Sequence, residues 1–128
     1  MKKYIYVLSS FLLFFILSLT LCAQPPQKMS YQAVVRDAQN SLITNQNIGV
    51  RISIVSHNTQ LAVYAETHTT TTNSNGLMSL EVGAGTVEYG DFSQIDWAND
   101  DFSIRSQIDL QGGNNYTITS TQQLLSVP

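Results

Sequence analysis

The chain has 128 residues, with six Lys and Arg, nine Asp and Glu, and one Cys. A net charge of −3 without a clustered basic face argues against electrostatic binding of nucleic acid or of an anionic membrane surface. One cysteine supports no disulfide framework, and the length suits one domain with a modest core.

Residues 1–23 read as an export signal. Met1, Lys2 and Lys3 are followed by an uncharged run from Tyr4 to Leu21, and Leu21-Cys22-Ala23 places a small residue before Gln24. Cleavage after Ala23 is the expected event, with an address outside the cytoplasm, extracellular or on the outer cell surface. Two alternatives stay open: a permanent membrane anchor, and lipidation at Cys22, although Leu21 stands where a lipoprotein box carries Gly, Ala or Ser. Cleavage would leave Lys28, Arg36, Arg51 and Arg105 against nine carboxylates, a net charge of −5 with no cysteine and no membrane span.

Residues 24–28 contain Pro25 and Pro26 and read as an extended leader. From there residues 29–128 form one domain of short runs rich in Thr, Ser, Val, Ile and Tyr. In residues 29–37, Met29, Tyr31, Ala33 and Val35 alternate with Ser30, Gln32, Val34 and Arg36, the period of a half-buried strand. Residues 37–41 supply a turn. In residues 47–56, Ile48, Val50, Ile52 and Ile54 share one face, with Gly49, Arg51 and Ser53 on the other.

Residues 61–72 are mostly β-branched or aromatic, and Asn73-Ser74-Asn75-Gly76 tolerates positive φ. Met78, Leu80 and Val82 alternate beyond it, so the two runs read as a hairpin. Residues 83–101 lack alternation and read as a crossover loop with one helical turn. Phe102, Ile104, Ser106, Ile108 and Leu110 then share a strand face, residues 112–115 form a turn, and residues 116–127 form a last strand. The pattern predicts an all-β fold: an antiparallel β-sandwich, immunoglobulin-like or a related Greek key, of six to seven strands.

Residues able to carry chemistry are few. His57 in a turn and His68 on the polar side of a Thr-rich strand read as solvated surface histidines, since neither has a second metal ligand at i+2 or i+4. No Gly-x-Ser-x-Gly elbow is present to expose a serine nucleophile. Gly83-Ala84-Gly85 lacks the helix and lysine of a phosphate loop and reads as a bend or bulge at a strand end. Asp91, Asp96, Asn99, Asp100 and Asp101 supply hard oxygen ligands of the kind Ca²⁺ takes, without the glycine and terminal glutamate of an EF-hand; the plainer reading is turn-forming and capping residues. Trp97, with Phe92 and Ile95, reads either as a sugar-stacking platform or as a plug over the open end of a sandwich. Asn115-Tyr116-Thr117 matches a glycosylation sequon and also fits a strand start.

Four phrases, MSYQAVVRDAQNSLITNQNIGVRISI, VYAETHTTTTNSNGLMSLEVGAGT, GDFSQIDW and NNYTITSTQQLLSVP, together resemble an exported N-terminal module of Gram-negative bacterial surface proteins. Larger members are tail-fibre-like or collagen-like. In that family a YQAVVRD strand follows the signal, and an LLSVP strand leads into a C-terminal fibre-like part. Asn40-Ser41 stands where relatives carry Gly in the first turn, a position Asn tolerates. The chain stops at Pro128, where the family usually continues.

The resemblance implies a non-enzymatic, secreted or cell-surface structural or interaction module, the N-terminal domain of a larger fibre-like or adhesin-like protein. It implies no cofactor, and protein partners or self-association through edge strands. The alternative is a carbohydrate- or calcium-binding module using residues 91–101, with cell-surface glycans as partners.

Overall fold

The computed structural model describes residues 2–4, 6 and 27–124. Most of the export signal, with Cys22, most of the 24–28 leader and the final Leu125 to Pro128 lie outside the described residues. The seven strands are β1 (Met29–Val34), β2 (Asn47–Ser56), β3 (Ala62–Thr71), β4 (Leu77–Val82), β5 (Thr86–Tyr89), β6 (Phe102–Asp109) and β7 (Ile118–Leu124). They form two antiparallel sheets, a small one ordered β1-β4 and a large one ordered β5-β3-β2-β6-β7. The all-β, two-sheet architecture matches the sequence expectation.

Alternation in β1 does what its period requires. Tyr31 and then Val35 point into the core, while Ser30, Gln32 and Val34 are exposed. The turn after it is built by one side chain: Asp37 Oδ1 accepts the backbone N–H groups of Gln39 and Ser41, both at 2.9 Å. Asn40 takes the left-handed conformation at φ 63°.

The core is centred on β2, whose Ile48, Val50, Ile52 and Ile54 are all 0 % exposed. Each such burial stabilises the fold by about 1.5–3 kcal/mol relative to exposure. These four pack with Tyr31, Val35, Met78 and Val82 on one side and with Phe102, Ile104 and Ile108 of β6. A polar contact crosses this apolar layer between the sheets: the Tyr31 hydroxyl donates to Ser106 Oγ at 3.2 Å, satisfying two buried groups at once.

Two expectations are corrected. Residues 61–72 and 77–82 are not a hairpin, because β3 pairs with β2 and β5 while β4 pairs with β1 in the other sheet. The Asn73 turn serves as a crossover. Asn73 Oδ1 accepts the N–H groups of Asn75 and Leu77, and Gly76, at φ +74°, presents its carbonyl to the N–H of Val35 in the small sheet. The same turn chemistry closes a hairpin or carries a chain between layers, so local sequence cannot separate the two. Residues 83–101 are also not simply a loop with a helical turn. They contain β5 as well as the expected turn, a 3₁₀ turn at Phe92–Gln94.

The outer face of β2 is not a free surface either. Gly49 and Ser53 are buried, and the connection between β6 and β7 folds back over Gly49. Asp109 holds that connection, its carboxylate accepting backbone N–H groups from Gln111, Gly113 and Asn115 at 2.9–3.0 Å. Those bonds, Gln111's foremost, hold the Asp109 carboxyl below the usual carboxylate range. A Cβ at position 49 would overlap the Gly113 carbonyl. Gly49→Ala should therefore displace the Asp109 loop and destabilise the fold by about 1–3 kcal/mol, the usual cost of forcing extra volume into a packed site. The check is a lower urea midpoint at unchanged slope.

Candidate functional site

The period of β3 places Tyr64, Glu66 and His68 on one face. That face turns inward. Glu66 is 0 % exposed and Tyr64 is buried with it. An isolated carboxylate there would be far too costly to keep charged, so its partners decide whether the site is tolerable.

Four donors make five contacts with it. The Tyr64 hydroxyl donates to Glu66 Oε2. His68 Nε2 lies 2.6 Å from Oε1, and a ring nitrogen facing a carboxylate is the one that carries the proton. The N–H of Gly83 reaches both oxygens at 3.0 Å, and the N–H of Gly85 reaches Oε2 at 3.3 Å. The fifth contact is thus a second oxygen shared by one glycine, and neither carboxylate oxygen is left without a donor.

Both glycines are required. Gly83 has φ +99°, and a Cβ there would run into the Gln27 carbonyl; a Cβ at Gly85 would lie 2.6 Å from His68 Nε2. Successive N–H groups in such a turn make an anion-binding concavity. The Gly83-Ala84-Gly85 turn does sit at a strand end, as the sequence suggests, and it also holds an anion. That anion is the chain's own Glu66. Sequence reasoning missed Glu66 because one acidic residue in a Thr-rich strand looks like a solvated one; the signal was its position two residues after Tyr64 and two before His68.

His68 is accordingly not a solvated surface histidine: its side chain is only 12 % exposed and is paired to Glu66. His57 is exposed in a turn, as expected, with its backbone N–H on the Asp101 carbonyl. Burial first, then the hydrogen bond to Glu66 and its negative charge, raise the Tyr64 hydroxyl well above the ordinary tyrosine range. At neutral pH it is a committed donor, unsuited to act as a base or nucleophile.

The 91–101 segment separates its acidic residues into individual tasks. Asp91 caps the 3₁₀ turn, accepting from the N–H and hydroxyl of Ser93 at 2.9 and 2.7 Å. Asp96 accepts from Asn99 Nδ2 at 2.7 Å, and Asp100 accepts from the Ser56 hydroxyl and the Asn58 N–H. Asp91, Asp96, Asn99 and Asp100 line one cavity of about 480 Å³, to which Asp101 and Trp97 do not contribute. Among the described residues no three His, Cys, Asp or Glu side chains converge to hold a metal ion. Trp97 is half-buried, edge-on to Phe92 at 5.8 Å and to Phe102 at 5.2 Å. With the Tyr64–Phe92 contact at 5.4 Å, the four rings form a chain that closes this end of the core, each pair contributing about 0.5–1.5 kcal/mol.

Glu66→Ala should remove the shared acceptor from two glycine N–H groups, a hydroxyl and an imidazole, and destabilise the fold by about 3–5 kcal/mol, the scale seen when one member of a buried charged set is deleted. Glu66→Gln, which keeps one acceptor oxygen, should lose less; urea denaturation of both variants checks the order. The raised Tyr64 pKa predicts the alkaline limb. The folded state holds that proton more tightly than the unfolded chain, so its contribution is fully present below about pH 10 and is lost as pH rises further, by up to about 1.4 kcal/mol per unit. Tyr64→Phe should flatten the fall in melting temperature above pH 10.

No curated protein and no solved structure matches the chain. A family model described as Domain of unknown function (DUF8740) matches residues 30–123, which take in Glu66 with all its donors and nearly all of both sheets. The chain therefore belongs to the DUF8740 family.

Proposed function

We propose that the protein is an exported, non-enzymatic structural or interaction module that works at the cell surface, as the N-terminal domain of a larger fibre-like or adhesin-like assembly. One observation carries this reading: the large sheet ends in two strands, β5 and β7, that each pair on one side only among the described residues. Sheet edges offer rows of backbone donors and acceptors, and adding a strand to such a row is a common mode of protein recognition.

The interior supports the same reading from the other direction. Glu66, His68 and Tyr64, the group most like a catalytic constellation, bond to one another and to backbone, and none is free to reach a substrate. Asp91, Asp96 and Asp100 likewise cap turns and bind neighbours.

A test combines address and contact. The protein, expressed with its own leader in a Gram-negative bacterium, should be recovered outside the cytoplasm with a mature mass beginning at Gln24. A photo-crosslinking residue at Val87 or Thr121, in the two edge strands, should give adducts with a surface protein or with a second copy, while the same residue at Asn58 in the β2–β3 turn should give none. Cytoplasmic recovery with residues 1–23 retained, or adducts from neither edge, would overturn the reading.

A further inference from the structure

The two edges of the large sheet are built differently. β5 has four residues, its pairing with β3 shifts register between Ala65 and Glu66, and it carries Glu88. Glu88 Oε2 lies 2.6 Å from Arg51 Nε, close enough for charge attraction although the N–H does not point at the oxygen. Shortness, irregularity and charge are the usual devices that keep an edge from pairing. β7 has none of them. It runs seven residues in unbroken register with β6, with no charge, proline or glycine, and its five central residues are exposed.

From this asymmetry we infer that β7 is a self-pairing edge: two copies of this chain join β7 to β7 antiparallel about a two-fold axis at Thr121, making one continuous ten-stranded sheet. The inference rests on the reading of the protein as an edge-strand interaction module and names its partner. The argument for a second copy, over another protein, lies in what a two-fold requires. An isologous contact sets each residue against a fixed mate on its own sequence, so a charge on the axis would meet its own copy and one beside it would lie close to its copy. About Thr121 the mates are Ile118 with Leu124, Thr119 with Gln123, Ser120 with Gln122, and Thr121 with itself, all neutral.

The mates also agree in face. Register with β6 puts Ile118, Ser120, Gln122 and Leu124 on the side of Phe102, Ile104, Ser106 and Ile108, the core side, and Thr119, Thr121 and Gln123 on the other. Symmetric pairing about Thr121 keeps both sets intact. Ile118 and Leu124, each already packed partly on its own core, would meet across the junction at both ends. The nearest like charges are the two Arg105 side chains, separated by three strand spacings or about 14 Å, beyond the screening length at physiological salt.

A seven-residue edge contact falls short of the about 1,200 Å² typical of stable interfaces, so association should be weak and visible at about 10–100 µM. Sedimentation velocity of the purified protein across that range should show a reversible monomer–dimer equilibrium. Thr121→Lys and Thr121→Glu, which set like charges face to face at the axis, should each weaken the dimer at least tenfold while melting as the wild type does; mixing the two should restore a one-to-one dimer. Val87→Lys, on β5, should leave association unchanged. Wild type that stays monomeric throughout, single variants that still dimerise, or loss of the dimer in Val87→Lys would overturn self-pairing. If the wild type is monomeric yet crosslinks from Thr121 to a different surface protein, self-pairing falls while the module reading stands; loss of both removes the two together.

Discussion

The burial of one acidic side chain, Glu66, constrains how the two sheets of this fold are joined. Glu66 belongs to the large sheet, and the Gly83 and Gly85 N–H groups that neutralise it follow directly from β4 in the small one. The carboxylate therefore ties the two layers together where the chain passes between them, and it fixes where β5 begins. Replacing such a set with apolar residues of equal volume is often neutral or favourable, so its value is not simple stabilisation. It is selective. The donors of Glu66 arrive only when the turn after β4 lies against β3, so the set fixes the position of that turn.

The same chemistry recurs on a smaller scale in the connections. Asp37, Asp91 and Asp109 each accept backbone N–H groups within their own turn, and Asp96 and Asp100 accept from side chains or backbone nearby. Together with Glu66, six of the nine carboxylates are engaged inside the molecule. The acidic composition is thus mostly turn architecture, and excess negative charge is a poor pointer to a cation ligand here. Asp91 and Asp109 have depressed pKa values through hydrogen bonds that order loops, with no neighbouring charge needed.

Strands with a strict period were legible in the sequence, and so was the loop chemistry between them. β2 is the clearest case: four β-branched residues at alternate positions leave one inward face and no other choice. Asn40 at positive φ followed from its residue type. What local sequence could not carry was partner identity. The Asn73 turn suits a hairpin or a crossover equally, and only the distant Gly76–Val35 bond distinguishes them. β5 escaped notice because all four of its residues are exposed, which erases alternation, and glycines flank it closely. Glu66 escaped because burial of a charge depends on donors seventeen and nineteen residues away.

Unequal sheets leave a geometric remainder. Two strands cannot cover five, so the large sheet overhangs the small one at its margins. The Glu66 turn lies on the β5 side, and the Tyr64–Phe92–Trp97–Phe102 chain of rings closes one end of the core from β3 across to β6. On the β7 side composition changes instead. Ser120 and Gln122 stand opposite Ser106 and Ile104, so the core-side face of the sheet turns polar in its last strand, and those residues tolerate water without a covering layer. A partner docking there gains little hydrophobic area and relies on backbone hydrogen bonds, whose net value of about 0.5–1.5 kcal/mol each favours contacts that form and release readily. Such an edge suits a contact that forms and releases readily better than one that holds its partner tightly.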